Sequence, residues 1–358
     1  MPNNKIFISA GDLSGEIHAA GLAREIKKLT PSCFICAQGG DNLKAASDEF
    51  FADIVNINAF GFLPLKQFFF LKKLLKKIKI YFREQRPDKI ILVDYYGFHI
   101  HVARAAKKLN IPVYYYISPQ VWASRSGRIK KLAAVVKKML VILPFEEELY
   151  KKNGVPAVFV GNPLIDTVFA KDKADISNPP LIGLFPGSRI SAIEKHTPIL
   201  IETAKILKEK INAKFIFFSA NRNYNYVLPD CIELNENNDW GKRKSIDFAI
   251  CPSGTVSLEN ALLGVPMAVM YKLSYFNYFF IKAIAKVKYI TLANIFADKL
   301  VVPELIQFNA APEKIAKTAI EQMLPENYKR QLEEFAKIRN TLGKTGVSKR
   351  AAEIILKD

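Results

Sequence analysis

The feature that most constrains the fold lies in the second half of the chain, where a strand pattern, a turn of small residues, a helical pattern and a second strand pattern follow one another. Residues 246–250 and 267–271 are short apolar runs typical of buried strands. Residues 253–255 predict a tight turn and residues 256–263 a short helix, because Gly264 suits a helix C-terminus. Such a turn exposes backbone N–H groups where a phosphate can bind. An ordinary βαβ crossover with a capped helix is the alternative interpretation.

The same alternation runs through the whole chain and predicts an α/β protein with doubly wound sheets. A length of 358 residues favours two domains, and hydrophobic residues make up 50%, enough for two cores. The predicted strands are 6–9, 34–38, 89–93, 113–117, 138–143 and 157–160 before a polar, proline-containing segment, and 181–185, 214–218, 231–234, 246–250 and 267–271 after it. We therefore predict domains over residues 1–170 and 171–335, followed by a C-terminal helix within 336–358.

Composition restricts the partners. The net charge of +18 indicates an anionic partner, which is nucleic acid, anionic lipid or a phosphorylated substrate. The chain has no apolar run long enough to predict a transmembrane helix and no signal peptide pattern.

The cysteines form no disulfide pattern, which favours a reducing cytoplasm. Cys33 and Cys36 have C-x-x-C spacing without a second pair, so strand packing is preferred to metal or redox chemistry. We predict no metal site.

In the first half, two turns that follow predicted strands carry candidate binding groups. Asp12, Ser14, Gly15 and Glu16 form a glycine-containing turn after the first strand, although it is not a G-x-G-x-x-G fingerprint. A tight turn capped by its own side chains is the alternative there. Asp94 ends the strand 89–93, at the edge where open α/β sheets bind ligands, and is a candidate general base. Its alternative role is the N-cap of the next helix.

In the second half, two turns are suited to phosphate. Gly187 and Ser188 can offer N–H groups, and the forked donors of Arg189 can neutralise a diphosphate leaving group. The turn at 253–255 offers a second set of N–H groups. Glu259, early in the helix after that turn, can accept hydrogen bonds from ribose hydroxyls.

A basic, aromatic segment over residues 57–83 predicts an amphipathic helix that binds a membrane surface or acyl chains. On such a helix, Phe68, Leu71, Leu75, Ile78 and Phe82 share one apolar face, of which part is expected to be core, and lysines project elsewhere. The residues expected to meet lipid are Phe62, Leu65, Phe68, Phe69, Phe70, Lys72 and Lys73. Packing on the sheet is the alternative for part of this face. Residues 271–290 repeat the composition, and a nucleic-acid groove would be expected to use more arginine.

Several segments together resemble the lipid A disaccharide synthases, a family of glycosyltransferases with the GT-B fold. They follow the family's order over nearly the whole chain and comprise residues 10–16 (AGDLSGE), 118–122 (SPQVW), 160–163 (VGNP), 186–189 (PGSR), 253–259 (SGTVSLE), 264–267 (GVPM), 287–294 (VKYITLAN) and 301–307 (VVPELIQ). The resemblance implies two Rossmann-like domains facing each other across a cleft, with the last helix crossing back to the first domain.

The resemblance also implies a reaction. It is the transfer of 2,3-diacylglucosamine from its UDP conjugate to 2,3-diacylglucosamine 1-phosphate, which gives a β-1,6-linked disaccharide 1-phosphate and UDP. In the family, this reaction inverts the anomeric centre and uses no catalytic metal, so no cofactor is expected.

Site residues follow from matching the family's motifs to this sequence. Asp94 would deprotonate or orient the acceptor 6-hydroxyl, and Arg189 would stabilise the diphosphate as charge develops. The donor site would comprise Gly187, Ser188, Ser253, Gly254, Thr255, Glu259, Asn294, Glu304 and Gln307. The acceptor loops would contribute Asp12, Ser14, Gly15, Glu16, Phe98 and Trp122.

Five positions depart from the family's pattern, mostly on the acceptor side. Tyr96 stands for a proline, His99 for an asparagine, Pro64 for a glutamate, Ser124 for a tryptophan and Asn162 for a histidine. We therefore expect acceptor contacts to differ more than donor contacts.

Two other functions remain as alternatives. One is another GT-B enzyme of UDP-sugars, such as a cell-wall glucosaminyltransferase or an epimerase; the other is a non-enzymatic basic binder of membranes or nucleic acid. The aromatic and lysine-rich segments favour a lipid substrate. We expect peripheral attachment to the cytoplasmic face of the inner membrane, no nucleic-acid partner, and an oligomeric state that the sequence leaves open.

Overall fold

The computed structural model describes residues 4–55, 64–119, 127–168, 175–219, 224–236, 239–272 and 288–358, with the side chains of 64–67 excepted. These residues form two compact units. One comprises the chain up to Asp166 together with Leu342–Asp358, and the other comprises Thr167–Thr341. The chain therefore leaves the first unit and returns to it for its last helix.

The first unit contains a seven-stranded parallel sheet. Its strands are β1 (Lys5–Ala10), β2 (Phe34–Gly39), β3 (Glu49–Asp53), β4 (Lys89–Val93), β5 (Val113–Tyr116), β6 (Lys138–Val141) and β7 (Ala157–Phe159), in the order β3-β2-β1-β4-β5-β6-β7. Its described helices are α1 (Leu13–Leu29), α2 (Asp41–Ala45), α3 (Pro64–Gln85), α4 (Tyr96–Lys107), α5 (Gly127–Ala133), α6 (Pro144–Lys152), α7 (Leu164–Thr167, which ends at the boundary) and, at the end of the chain, α14 (Val347–Lys357).

The second unit contains a six-stranded parallel sheet. Its strands are β8 (Leu181–Leu184), β9 (Lys214–Phe218), β10 (Ile232–Asn235), β11 (Phe248–Cys251), β12 (Met267–Tyr271) and β13 (Glu304–Ile306), in the order β10-β9-β8-β11-β12-β13. The described helices are α8 (Ile190–Ile211), α9 (Trp240–Ser245), α10 (Thr255–Leu263), α11 (Leu292–Ala297), α12 (Pro312–Gln322) and α13 (Pro325–Thr341), and a 3-10 turn covers Gln307–Asn309.

Strand side chains alternate between two buried faces, which explains the continuous apolar runs in the sequence. In β1, Phe7 packs on the face covered by α3 and α4, whereas Ile6 and Ile8 pack on the face covered by α1 and α14. Helices on both faces of a parallel sheet define the doubly wound architecture. The predicted fold class is therefore confirmed.

Both sheets reverse their strand order at one point, which is where open α/β proteins bind ligands beyond the carboxyl ends of the strands. In the first sheet this point lies between β1 and β4, and in the second it lies between β8 and β11. The edge strands β3 and β13 are additional to the strands predicted from the sequence. Both are short and contain acidic residues, so their patterns are weak.

The helix α3 buries part of its predicted apolar face, with Leu71 and Leu75 packed partly against the core. Leu74, Ile78 and Phe82 are buried in the core, and Phe70 packs partly against it. Phe68, which shares the predicted apolar face and is among the residues expected to meet lipid, is 60% exposed. The physical reason is register: positions 70, 74, 78 and 82 follow at four-residue steps, so Phe68 lies off the stripe that faces the sheet.

The C-terminal helix α14 packs on α1 and buries Val347, Ala351 and Ile355 in the core of the first unit. The Asp166 carboxylate accepts hydrogen bonds from the backbone N–H groups of Gly346 (2.6 Å) and Val347 (3.0 Å), which satisfies donors at the N-terminus of the helix. The return of the last helix to the first domain, which the resemblance implied, is thus present.

Cys33 and Cys36 are buried on opposite faces of the first sheet, as strand packing requires. Burial raises the pKa of the Cys33 thiol to about 11. Among the helices of the described ranges, none combines the length and apolarity needed to cross a membrane.

Candidate functional site

In the first unit, the turns after β1 and β4 touch at the point where the strand order reverses. A Cβ atom built on Gly11 would lie 2.2 Å from ring atoms of Tyr95, so only glycine permits this approach. Asp94 and Tyr95 both have left-handed backbone conformations, with φ of 49° and 48°. Such conformations are unfavourable for residues other than glycine and cluster at functional sites. Sequence reasoning predicted the position of Asp94 but not this strained turn.

Three side chains hold the strained turn in place. The carbonyl oxygen of Asp94 accepts hydrogen bonds from the Tyr115 hydroxyl and from His99 Nδ1–H, the latter at 2.8 Å. His99 Nε2 lies 2.8 Å from Ser9 Oγ. Burial lowers the pKa of His99 to about 4, so the ring is neutral at pH 7 and Nε2 accepts a hydrogen bond from the Ser9 hydroxyl group. The residue that replaces the family's asparagine is therefore part of the scaffold beneath Asp94.

The Asp94 carboxyl group has the acidity expected of a general base. Burial first, and the nearby Asp12 carboxylate second, raise its pKa from 3.8 to about 7, while a hydrogen bond from the Tyr95 backbone acts in the opposite direction. A carboxylate that titrates near neutral pH is matched to proton abstraction from a hydroxyl group. The turns after two adjacent strands thus bring together a pair of carboxylates, one of which titrates near neutral pH.

The other acceptor-loop residues have distinct placements. Asp12 is the N-cap of α1 and accepts from the Gly15 N–H (2.7 Å), and Ser14 is exposed. Glu16 is buried and accepts from Asn42 Nδ2 (2.6 Å) and from a backbone N–H at the start of α2. Asp12 is therefore close enough to Asp94 to raise the pKa of its carboxyl group, whereas the carboxylate of Glu16 is engaged inside the unit.

Phe98 is buried in the core beneath the Asp94 turn and does not line its surface. Tyr96 is partly exposed, and the Arg128 guanidinium lies 4.5 Å from its ring centroid. Asn162 accepts a hydrogen bond from the Leu164 N–H (3.1 Å), a local cap. Predictions for Phe62, Trp122, Ser124 and most of residues 271–290 fall outside the described residues, as do those for the side chains of Pro64 and Leu65.

In the second unit, the turns after β8 and β11 are likewise adjacent. Gly187 and Gly254 have φ values of 102° and 140°, which side-chain-bearing residues rarely adopt. A Cβ atom built on Gly187 would lie 3.6 Å from Pro252 Cγ, whereas one built on Gly254 would meet nothing within 4 Å. The turn at Gly254 therefore borders open space at the N-terminus of α10.

These two turns present the N-termini of α8 and α10 at the same edge of the sheet. Arg189 is the N-cap residue of α8, and Ser188 and Arg189 are exposed, as is Thr255 at the start of α10. Two helix N-termini and an exposed guanidinium provide aligned N–H donors and positive charge for an anion. Sequence reasoning predicted both turns; their adjacency follows from the strand order.

A buried histidine fixes the first of these turns. His196 Nδ1–H donates to the Pro186 carbonyl (2.8 Å), and Nε2 accepts from the Lys272 backbone N–H (3.2 Å). Burial lowers the pKa of His196, which keeps the ring neutral in this arrangement. His196 thus links the turn after β8 to the end of β12. The sequence did not predict this role.

Glu259 is paired with a residue that the sequence did not single out. Its Oε2 atom accepts from Arg243 Nη1 at 2.7 Å, and its side chain is 17% exposed. Glu259 is therefore partly exposed, with one carboxylate oxygen bound to Arg243. A lysine-rich segment around Arg243 concealed this pairing, because nothing in the pattern distinguishes the one buried cation.

The late motif organises the loop before β13. Asn294 is buried; its Nδ2 donates to Val302 O (2.8 Å) and Glu304 Oε1 (2.9 Å), and its Oδ1 accepts from two backbone N–H groups. Glu304 also accepts from the backbone N–H groups of Ile290 and Thr291. The side chains of Asn294 and Glu304 therefore fix the conformation of the backbone by hydrogen bonds within the protein. Gln307 follows β13 with a left-handed φ of 56°.

Ser253 connects this loop to the second turn. Its hydroxyl group donates to the Ile290 carbonyl at 2.6 Å, which anchors the segment before α11 beside the N-terminus of α10. Because the hydroxyl proton is used in this bond, Ser253 can offer a ligand its backbone and its oxygen lone pairs.

Comparisons with known proteins agree with this architecture. The family model for Lipid-A-disaccharide synthetase matches residues 6–357. A Lipid-A-disaccharide synthase of Syntrophus aciditrophicus is 36% identical, with 99% of this chain and 98% of that protein covered. One of Trichlorobacter lovleyi is 35% identical, with 98% and 97% covered.

Solved structures share the fold at low identity. An S. aureus MnaA–UDP co-structure has a TM-score of 0.68 and 15% identity, covering 98% of this chain and 96% of that one. Acinetobacter baumannii MurG has a TM-score of 0.64 and 16% identity, with 99% and 100% covered. Together with the family match and the two doubly wound sheets, this establishes that the chain belongs to the lipid-A-disaccharide synthase family and is a GT-B glycosyltransferase of lipid A biosynthesis.

Proposed function

We propose that this enzyme transfers 2,3-diacylglucosamine from UDP-2,3-diacylglucosamine to the 6-hydroxyl of 2,3-diacylglucosamine 1-phosphate, with inversion at the anomeric carbon. The relatives' name supports a disaccharide product of lipid A chemistry. The observation that carries the mechanism is the Asp94 carboxyl group, whose pKa is raised to about 7 at the ligand-binding edge of the first sheet. A base with this pKa is suited to activating a sugar hydroxyl.

In the proposed step, the deprotonated Asp94 carboxylate accepts the proton of the acceptor hydroxyl. The hydroxyl oxygen attacks the anomeric carbon from the side opposite the diphosphate, forming the new glycosidic bond. The bond between that carbon and the diphosphate oxygen breaks, and its electron pair leaves with UDP. Arg189 and the N-termini of α8 and α10 stabilise the charge that develops on the leaving group.

The donor nucleotide would bind at the edge of the second sheet. Gly187, Ser188, Gly254 and Thr255 would direct backbone groups to the diphosphate, since both turns start helices. Glu259 would accept hydrogen bonds from the ribose hydroxyls. Asn294 and Glu304 would support this site through the backbone that they hold.

A membrane surface is the proposed source of both lipid substrates. Phe68 and Phe69 are 60% and 63% exposed, and their rings contact each other at 5.8 Å between centroids. Lys72 and Lys73 are exposed one turn further along α3. Adjacent exposed aromatic rings followed by lysines suit the interface of an anionic bilayer. We propose peripheral attachment through this part of α3, on the cytoplasmic leaflet.

The first test incubates the enzyme with both lipid substrates in the presence of a chelator. Turnover is measured as UDP release and as the mass of the product. We expect a disaccharide 1-phosphate and stoichiometric UDP. Asp94→Asn should lower kcat by at least about 100-fold while UDP affinity stays within about twofold, because the amide cannot take the proton. Asp41→Asn, an exposed carboxylate of the same unit, is the matched control.

Two results would contradict the proposal. Retained turnover in Asp94→Asn would remove this residue from the base role. A wild-type enzyme that binds the UDP-sugar but forms no disaccharide would indicate a different acceptor, as in other UDP-sugar enzymes of this fold.

A further inference from the structure

The second unit contains a cation buried among aromatic rings and away from any exposed surface. Arg243, in α9, is 1% exposed and is among the largest fully buried side chains of the described chain. Its guanidinium carbon lies 4.6 Å from the Trp240 ring centroid and 5.3 Å from that of Phe185. Phe185 in turn stacks on Phe218, with centroids 4.7 Å apart and planes at 6°.

The forked end of this side chain points to α10. Nη1 donates to Glu259 Oε2 at 2.7 Å, and Nη2 donates to Asn260 Oδ1 at 3.0 Å. Asn260 is fully buried, whereas Glu259 is 17% exposed. Arg243 therefore binds two consecutive residues of α10, the helix that follows the turn at Gly254.

A buried ion pair is an energetically unfavourable way to hold α9 and α10 together. Removing a guanidinium group and a carboxylate from water costs several kcal/mol per ion, and a well-packed apolar pair is often at least as stabilising. The rigid, planar guanidinium group of Arg243 does provide orientation. It fixes the rotamer of the Glu259 side chain, which would otherwise sample several rotamers. The carboxylate so fixed is the one at the edge of the donor site.

We propose that Arg243 is a positioning residue for ribose recognition: it holds one oxygen of Glu259 so that the partly exposed side of the carboxylate accepts hydrogen bonds from the vicinal hydroxyls of a ribonucleoside diphosphate. The inference rests on the proposed function and extends it. It assigns to Arg243 the discrimination between ribose and sugars that lack these hydroxyls, although Arg243 itself does not touch the ligand.

The test compares nucleotides rather than activities alone. Calorimetry measures the dissociation constants of UDP and 2′,3′-dideoxy-UDP for the wild-type enzyme, Arg243→Met and Lys242→Met. Lys242 is the matched control, because it is the adjacent cation of α9 and pairs with Glu233 of β10 instead of α10. We expect Arg243→Met to weaken UDP binding about tenfold and to change dideoxy-UDP binding by less than about twofold. Lys242→Met should change neither.

Kinetics give a second readout. If Arg243 acts through Glu259 on ground-state and transition-state binding alike, Arg243→Met should raise KM for the UDP-sugar about tenfold and leave kcat within about twofold. Glu259→Gln should reproduce the loss of ribose discrimination, and the double variant Arg243→Met/Glu259→Gln should lose no more than either single variant.

The opposite outcomes are equally clear. Equal weakening of UDP and dideoxy-UDP would overturn the inference and make Arg243 a residue of folding only, and so would unchanged UDP binding. Should Arg243→Met fail to fold, Arg243→Lys, which keeps the charge but not the fork, is measured in the same way. Absence of UDP binding in the wild-type enzyme would instead refute the proposed function.

Discussion

At the scale of single residues, the proposed chemistry of the first unit depends on a carboxyl group held where its charge is unfavourable. Asp94 lies in a left-handed turn fixed by Tyr115 and His99, and both burial and the neighbouring Asp12 favour its protonated form. Burial and the like charge of Asp12 raise the pKa of the Asp94 carboxyl group into the physiological pH range. The same features that destabilise the carboxylate suit it to the proposed role of base.

The first prediction at this scale concerns pH. Because the proposed base must be deprotonated, kcat/KM should be constant above the pKa of Asp94, about 7, and should fall tenfold for each unit below it. Asp12→Asn removes a charge that raises this pKa, so the acid limb of the profile should move to lower pH. Asparagine remains a good N-cap, so α1 should keep its start.

The measurement is a pH profile of kcat/KM for both proteins, with circular dichroism at each pH. An acid limb that stays in place in Asp12→Asn would mean that the two carboxylates are not coupled. A profile without any acid limb near neutral pH would mean that another group is the base.

At the scale of elements, α3 combines a buried stripe with an exposed apolar start. Its stripe through Leu74, Ile78 and Phe82 packs on the sheet, while Phe68 and Phe69 near its start remain exposed. Exposed lysines, among them Lys72 and Lys73, follow these rings. The apolar excess in the sequence is therefore more than the core requires, which is typical of an interfacial helix.

The prediction for this element is a loss of vesicle binding. Phe68→Ser/Phe69→Ser should lower affinity for anionic vesicles by at least about tenfold, since each ring contributes on the order of 1 to 2 kcal/mol when it leaves water. Leu324→Ser, an equally exposed apolar residue of the second unit, is the control. Flotation with the vesicles measures the effect, and unchanged flotation of the double variant would show that these rings do not meet lipid. Phe70 is left intact because it packs against the core.

At the scale of the whole molecule, the first unit is completed by residues from the end of the chain. The helix α14 fills the core beside α1, and Asp166 joins its N-terminus to the segment where the chain leaves the unit. Arg350 adds two hydrogen bonds to the Val160 carbonyl, at 3.0 and 2.9 Å. The first unit is therefore complete only when the chain beyond the second unit has been synthesised.

The corresponding prediction is that Asp166→Ala loosens α14. Two backbone N–H groups would lose their acceptor, which should cost about 1 to 3 kcal/mol of unfolding free energy. Hydrogen exchange of residues 347–357 should become faster, while exchange in the second unit should not change. Asp175→Ala, in the other unit, serves as the control. Unchanged exchange in 347–357 would contradict the role assigned to Asp166.

Much of the site could be predicted because its signals are local. A strand that ends in Asp94, and the turns at Gly187 and Gly254, are visible as an apolar run followed by small or polar residues. The roles of Glu16 and Asn294 could not be predicted in this way. Their hydrogen-bond partners lie on other elements or across a loop, and a carboxylate or amide near a glycine turn looks the same whether it faces a ligand or the protein interior.

By itself, the sequence determined the two α/β halves, the turns that start helices at the strand ends and the family to which the chain belongs, because these depend on periodicity and on motifs of a few consecutive residues. Only the tertiary structure decided which polar groups meet. The Asp12–Asp94 and Arg243–Glu259 pairs join residues of different elements, and their properties come from burial and from the direction of a few side chains. Such pairings arise when the sheets assemble, since strand order sets neighbours that chain order does not.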